Sequence, residues 1–383
     1  MIGQSVSPEP GEKTSNNAVW LTGNRAAFVV DAAPYTSPRR HEVVVKNKAV
    51  AVNPIDWILQ PVGDIIFPWL KYPFILGSDV AGEVVEIGPG VSRFQIGDRV
   101  LGHAVGGDKT RNSSAEGAFQ QFTVLRENMT APIPDFMTFE SAAVLPLGLS
   151  TAACGLYEKN ELALDYPSAN PQPKGKTLLV WGGSTSVGSN AIQLAVASGY
   201  DVVTTASPKN FDYVKKLGAS QAFDYKSKTV VGDLILALKG KKIVGALAIG
   251  AGSADPCLDI VHACQGTKFV SMASPPLSFA SAPNPRTLGW LIPTMARMMI
   301  GSISQAIKAQ MKGIKTHFIF GTSLMDNEIS KVIYSDFLPA ALADKRYTAA
   351  PDPLVVGHGL GSIPVALAAQ KKGVSAKKLV VTL

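Results

Sequence analysis

Residues Thr177–Gly188 read TLLVWGGSTSVG, an apolar strand-like run that enters a glycine-rich turn and leaves it as a helix. Glycines let such a turn tighten and let its backbone approach a pyrophosphate, while unbonded N–H groups at the helix start stabilise the phosphate charge. The chemistry on offer is dinucleotide binding, with Gly183, Ser184, Thr185, Ser186, Val187 and Gly188 as the contact segment. The G-x-G-x-x-G spacing is imperfect, because Gly183 and Gly188 hold the outer positions and Thr185 stands at the middle one. A turn of this shape without a ligand is the competing reading. The strands and helices that alternate around it argue for the dinucleotide.

The next strand bears on which nicotinamide is bound. In NAD sites an acidic residue about twenty positions past the turn accepts the ribose 2′-hydroxyl and repels a 2′-phosphate. Here that strand runs into Thr204-Thr205-Ala206-Ser207-Pro208-Lys209-Asn210, which contains no acid. Ser207 can donate a hydrogen bond and Lys209 can neutralise a phosphate, so the segment predicts NADPH over NADH. A neutral loop with one surface lysine is the alternative.

Other chemistry-bearing residues are sparse. Cys154, Cys257 and Cys264 cannot all pair and show no metal-ligand spacing. His41 and His103 fall in expected loops, His262 and His317 among apolar positions, and His358 between glycines, none with an evident partner in the sequence. Tyr72, just before the Gly77-Ser78-Asp79 turn, is a candidate proton donor, with packing as its other reading.

These groups need a scaffold, and 383 residues point to two domains with a site between them. Hydrophobic residues make up 46% and charged ones 17%, a balance that supplies a core and argues against extensive disorder. Met1–Asn17 reads as a loose tail. Short strands follow at Val43–Lys46, Ala49–Val52, Val80–Ile87 and Arg99–Leu101, with Gly88, Gly90 and Gly97 as turns, which suggests a β-rich unit. Phe139–Asn160 reads as one helix leading away from it. Beyond the proline-rich Tyr166–Pro173, strands at Leu178–Trp181, Asp201–Thr205, Ile243–Ala248 and Lys268–Met272 alternate with helices at Val187–Ser198 and Tyr213–Leu217, the rhythm of a parallel sheet covered on both faces. Tyr334–Asp344, Leu354–His358, Ile363–Lys371 and Leu379–Val381 leave that rhythm and are expected to close back onto the first domain.

The net charge of +7 is scattered, and the densest cluster, Lys371, Lys372, Lys377 and Lys378, reads as a solvated face, so no nucleic-acid partner is expected. The polar N-terminus and unpaired cysteines point to the cytosol. Leu288–Ile307 is the most membrane-like run, but Pro293 and Arg297 within it favour an amphipathic or buried helix, and no membrane span is expected.

Four blocks carry a resemblance: Ala51-Val52-Asn53-Pro54-Ile55-Asp56, Ile75–Arg99, Leu145–Ala152 and the glycine turn, in that order. The chain resembles the medium-chain dehydrogenase/reductase superfamily in its quinone-oxidoreductase branch, and more closely the fungal reductases that include trans-acting enoyl reductases of polyketide synthesis. The resemblance implies an α/β fold: a GroES-like β-rich catalytic domain at 18–146 and 322–383, and a Rossmann-type doubly wound parallel sheet at 147–321 that binds NADPH. It implies that Ser207, Lys209 and Tyr225 hold the 2′-phosphate, that Thr151 lies beside the nicotinamide, that Phe320 and Gly321 close over the ring, and that Asn53 orients substrate or cofactor. Each has a plainer reading: Tyr225 as a strand-end aromatic, Thr151 as a local hydrogen-bonder, Phe320 as packing, Asn53 as an Asx turn before Pro54. The positions that would hold catalytic zinc fall near Asn53, Ser78-Asp79 and Leu147, and the loop His103–Gly117 has no cysteine, so no metal is expected.

The expected chemistry is therefore hydride delivery from NADPH to an activated C=C, as in an enone or enoyl group, or to a quinone. The expected substrate is small and apolar, free or tethered to a carrier protein, and the protein is expected as a monomer or homodimer. A zinc-independent carbonyl or alcohol oxidoreductase and a non-enzymatic NADPH-binding protein remain as alternatives. The Met-rich helix within Leu288–Met311 reads as a core helix first, and otherwise as a lid over an apolar substrate or a partner surface.

Overall fold

The computed structural model describes residues 15–283 and 286–383. Its first sheet has the strand order Asp352–His358, Lys377–Thr382, Glu42–Ala51, Asp79–Ile87, Arg99–His103, Thr130–Pro132, with Phe122–Arg126 also paired to Glu42–Ala51. The stretch expected as two short strands from Glu42 is one ten-residue strand. Its register shifts at Val44/Val45 and at Asn47/Ala49, and such bulges interrupt the alternation that marks a continuous strand in sequence. The C-terminal Lys377–Thr382 joins antiparallel to this strand through Val380 opposite Ala51, so the end of the chain completes the sheet begun near its start.

The tail expected at Met1–Asn17 does not extend through Asn17. Residues 1–14 lie outside the described residues, but Asn16–Leu21 is a strand, flanked by Phe28–Ala33 and Phe74–Ile75. Asn16 is buried because its amide donates to the Gln120 Oε1 at 2.9 Å and to the Pro34 carbonyl at 3.2 Å. Polar residues satisfied in this way give no apolar signal.

The second sheet is parallel, in the order Gln221–Asp224, Asp201–Ala206, Lys176–Trp181, Lys242–Ala248, Phe269–Met272, Lys315–Phe318. In chain order that is 3-2-1-4-5-6, with the crevice at the point where the order reverses, beside the first strand. Leu178, Leu179 and Val180 are fully buried, as a central parallel strand requires when helices cover both faces.

Phe139–Asn160, expected as one helix, is two: Phe139–Ala143 and Pro146–Tyr157. Pro146 has no N–H to continue the first helix and is suited to open the second. Phe139–Tyr157 is also, among the described residues, the stretch long and apolar enough to cross a bilayer, and most of it is buried inside the protein. The helix near Tyr334 begins earlier than expected, at Glu328, and passes through a π-helical turn at Val332–Phe337 before Pro339. A proline there removes an N–H from the ladder.

Leu288–Met311 is a single helix, but the core reading fails, for only Gln305 and Ala309 are buried. It lies across the outside of both domains. Trp290 and Met298 pack against the apolar cluster of the first sheet, and Ala309 belongs to the cluster of the second. Just before it, Arg286 grips Asp64 of the helix Pro54–Ile66 with two hydrogen bonds of 2.7 Å.

Candidate functional site

The glycine turn is held from the neighbouring strand. Thr205 accepts the Gly182 N–H on its hydroxyl at 3.0 Å and the Gly183 N–H on its carbonyl at 2.8 Å. A Cβ on Gly183 would strike the Thr204 hydroxyl, and one on Gly188 would strike the Gly182 carbonyl. Thr185, which stands where a glycine was expected, caps the helix Ser186–Ala197. Its hydroxyl accepts the Gly188 N–H at 3.0 Å and donates to the Gly182 carbonyl at 2.8 Å. Next to it the Ser186 hydroxyl is buried without a hydrogen-bond partner among the described residues. That hydroxyl is directed at Gly148 of the helix Pro146–Tyr157, so it is the N–H groups at the helix start, in a turn too tight for side chains, that fit a pyrophosphate oxygen.

Register places the specificity candidates along the same sheet end. Thr205 lies opposite Trp181 and Ala206 opposite Asp224, so Ser207, Lys209 and Tyr225 follow adjacent strand ends beside the turn. Lys209 and Tyr225 are exposed, and the Lys226 ammonium lies 5.7 Å from the Tyr225 ring centre. Asp224 is turned into its own loop, where it accepts the Lys226 N–H at 3.0 Å.

At the other end of the crevice, Thr151 and Gly321 are brought together, since a Cβ on Gly321 would press on the Thr151 hydroxyl. That hydroxyl donates to the Leu147 carbonyl at 2.8 Å. Phe320 is exposed and meets Phe318 edge-on, so it is not a core residue. Beside it, Thr322 donates to the Asp108 carboxylate at 2.6 Å and ties this segment to the catalytic domain. Burial pushes the Asp108 carboxyl up, but hydrogen bonds from Thr322 and Thr110 outweigh it and hold it below its ordinary value.

Asn53, Asp79 and Leu147, the positions where the resemblance locates zinc ligands, do converge, but around a lysine. Asp79 accepts the Asn53 amide at 2.8 Å, the Leu147 N–H at 2.7 Å and the Lys378 ammonium at 2.8 Å. The Asn53 carbonyl oxygen also accepts from Lys378, so both ends of the Asn53 side chain are occupied. Asp79 is fully buried and Lys378 is 5% exposed. Among the described residues no three His, Cys, Asp or Glu side chains are grouped to hold a metal. Asp56, whose carboxylate accepts the Asn53 N–H at 2.7 Å, is pushed up to about 7, first by burial and then by the Asp79 charge, against the Asn53 hydrogen bond.

Lys378 corrects the solvated-face reading of the C-terminal lysines. Successive residues of a strand point to opposite faces, so Lys377 turns out to Asp352 while Lys378 turns in to Asp79. The signal was the pair of lysines at the start of Lys377–Thr382, a strand whose next three residues are apolar.

The histidines also have partners that the sequence did not reveal. His103 ends a strand and lies opposite Asp79. Its Nδ1 meets the Ser150 hydroxyl at 2.9 Å, Ser150 meets the Tyr334 hydroxyl at 2.7 Å, and Tyr334 donates to the Pro146 carbonyl at 3.1 Å. Burial pushes His103 down to about 4, which leaves it neutral at pH 7, and its buried Nε2 has no partner among the described residues. His317 contacts the buried Glu161 at 2.5 Å and His41 contacts Glu127 at 3.3 Å. The Tyr72 hydroxyl is likewise buried and unpartnered, against Gly63. Gly63 lies ten residues along the helix from Asn53, about 15 Å at the helical rise, so the structure does not bring Tyr72 into the Asn53 cluster.

A GroES-type sheet domain joined to a 3-2-1-4-5-6 parallel sheet, with a glycine turn at the crevice, defines a two-domain dehydrogenase. Residues 39–135 match the alcohol dehydrogenase GroES-like domain. The chain is 53% identical over 371 residues to the dehydrogenase pigH of Monascus ruber, covering 96% of this chain and all of that one. It is 36% identical over 377 residues to the trans-enoyl reductase himH of Aspergillus japonicus, covering 96% and 97% of the two. The mycobacterial protein Rv1454c, solved with NADPH, superposes with a TM-score of 0.67 at 21% identity, over 96% of this chain and all of that one, which shows the shared fold. The chain belongs to the medium-chain dehydrogenase/reductase superfamily of oxidoreductases, close to fungal dehydrogenases and trans-enoyl reductases.

Proposed function

We propose that this protein is a metal-independent reductase that uses NADPH to reduce an activated C=C of an enone or enoyl substrate, or a quinone. The observation that carries the reading is the buried Lys378–Asp79–Asn53 cluster. An ammonium and an amide hold the acid where zinc chemistry would need cysteine or histidine ligands, and an activated C=C or quinone accepts hydride without a Lewis acid. The kinship with a trans-enoyl reductase supports the enoyl arm.

NADPH, when bound, supplies the hydride. The N–H groups at the helix start would hold the pyrophosphate, and Ser207, Lys209 and Tyr225 would recognise the 2′-phosphate. Thr151 and Gly321, which lie together, would flank the nicotinamide. Asp79 fixes the first turn of Thr151's helix through the Leu147 N–H, so the cluster positions the cofactor from the catalytic side. Tyr72 keeps its proton, since burial and then the Asp64 charge raise its phenol above the ordinary value, but it is packed against Gly63 away from the Asn53 cluster, so we assign the proton for the reduced substrate to water. The three thiols are free and buried, which fits a reducing cytosol.

The test follows NADPH absorbance with enones, enals and quinones, offered free, pantetheine-linked and carrier-bound. Turnover of any of these, with NADPH preferred to NADH, supports the reading. Tight NADPH binding without turnover across the panel overturns it in favour of a binding protein, and oxidation of alcohols alone would favour a carbonyl/alcohol oxidoreductase.

A further inference from the structure

We propose that the outer face of the helix Leu288–Met311 is a homodimer interface, in which two copies of the helix pack antiparallel about a twofold axis between Met299 and Ile300. The helix has 24 residues and is about 36 Å long. One side is committed to its own chain, through Trp290, Met298 and Ala309 and through Lys308 and Lys312, which pair with Asp259 at 2.9 and 3.2 Å. The other side has no partner among the described residues. Leu288, Ile292, Met299, Ile300, Ile303, Ile307 and Met311 are 52–83% exposed there, with Ala296 among them. Together they present on the order of 800 Å² of apolar surface, about what each partner contributes to a standard stable interface and more than an ordinary surface patch.

Three features select a second copy as the occupant. The first is symmetry: the exposed positions pair as 288 with 311, 292 with 307, 296 with 303 and 299 with 300. In an antiparallel pair centred between 299 and 300, every apolar side chain therefore meets another, which is the self-complementarity a twofold interface demands. The second is spacing, since 292, 296, 299 and 303 alternate steps of four and three, the seam of a packed helix pair. Ile300, Ile303, Ser304, Ile307, Lys308 and Met311 line a shallow groove along that seam. The third is charge. Lys308 is tied to Asp255 and Asp259 and Lys312 to Asp259, leaving Arg297 as the helix's remaining cation, whereas an anionic membrane or an acidic carrier protein calls for several free ones.

The experiment is sedimentation equilibrium on the full chain, paired with cysteine cross-linking. Wild type is expected to be a dimer at micromolar concentration. Ile300→Glu, which sets like charges against each other beside the axis, and Ile303→Glu, which buries a charge against Ala296 of the second copy, should each weaken it roughly 100-fold or more, with circular dichroism unchanged. The native thiols are buried, so introduced ones report cleanly. Met299→Cys should cross-link to itself, and Ile292→Cys should cross-link to Ile307→Cys only when the two variants are mixed. A monomer at all concentrations overturns the proposal, as does a dimer that survives both charge substitutions. Binding of monomeric protein to anionic vesicles, lost in Ile303→Glu, overturns it in favour of a membrane surface.

Discussion

The two walls of the crevice are built at very different sequence distances. At the glycine turn, Thr185 bonds Gly182 and Gly188, each three residues away, and Thr205 lies 23 residues from the Gly182 it holds. At the opposite wall, Asp79 takes Asn53 from 26 residues away and Leu147 from 68, while Lys378 reaches Asn53 across 325. The turn is a local device whose polar groups face a ligand or water. The cluster is a buried ion pair whose charges are met by the Asn53 amide and the Leu147 N–H in place of water, so the two walls should respond differently to the loss of one group.

The largest effect is expected at the cluster. Lys378→Met leaves the Asp79 carboxylate buried without its cation and should cost about 3–5 kcal/mol by denaturant unfolding. Lys378→Met with Asp79→Leu should recover part of that loss, and no recovery would mean that the pair's worth lies in shape rather than charge. At the other wall, Ser207→Ala with Lys209→Ala should leave folding intact and raise the KM for NADPH roughly tenfold or more, with the KM for NADH nearly unchanged, as loss of charge-assisted hydrogen bonds implies. Equal changes for both cofactors would remove these residues from 2′-phosphate recognition.

A smaller effect lies in pH. Asp56 rises from 3.8 to about 7 on folding, so the folded state binds the extra proton, and its contribution is complete below pH 3.8 and lost as pH rises to about 7. His103 falls from 6.5 to about 4, so its contribution is complete above pH 6.5 and lost as pH falls to about 4. The two oppose each other over the same window. Wild-type stability should therefore be flatter there than that of Asp56→Asn, which should rise with pH, or of His103→Gln, which should fall. Parallel curves for all three would reject the assignment. The smallest effect is expected at the cap: Thr185→Ala should cost about 1 kcal/mol, and Thr185→Gly only a few tenths.

The same difference in sequence distance governs what could be read in advance. The turn was visible because its glycines, its cap and the acid-free strand end lie within 34 consecutive residues, Thr177–Asn210. Lys378 was misread because its role exists only once the last strand pairs with Glu42–Ala51. His103 was placed in a loop because the strand that carries it ends in histidine rather than an apolar residue, and its bonds to Ser150 and onward to Tyr334 cross the domain junction. The helix Leu288–Met311 was recognised, but its composition suits a core as well as a surface.

By itself the sequence determined the parallel-sheet alternation, the glycine-rich turn between strand and helix and the acid-free segment Thr204–Asn210, because periodicity and short-range turn chemistry are written in neighbouring residues. Only the tertiary structure decided that Lys378 faces inward to Asp79, that Asn53 is fully engaged and that one helix leaves an apolar face outward. Burial is a property of what packs against a residue, and these neighbours come from the far ends of the chain.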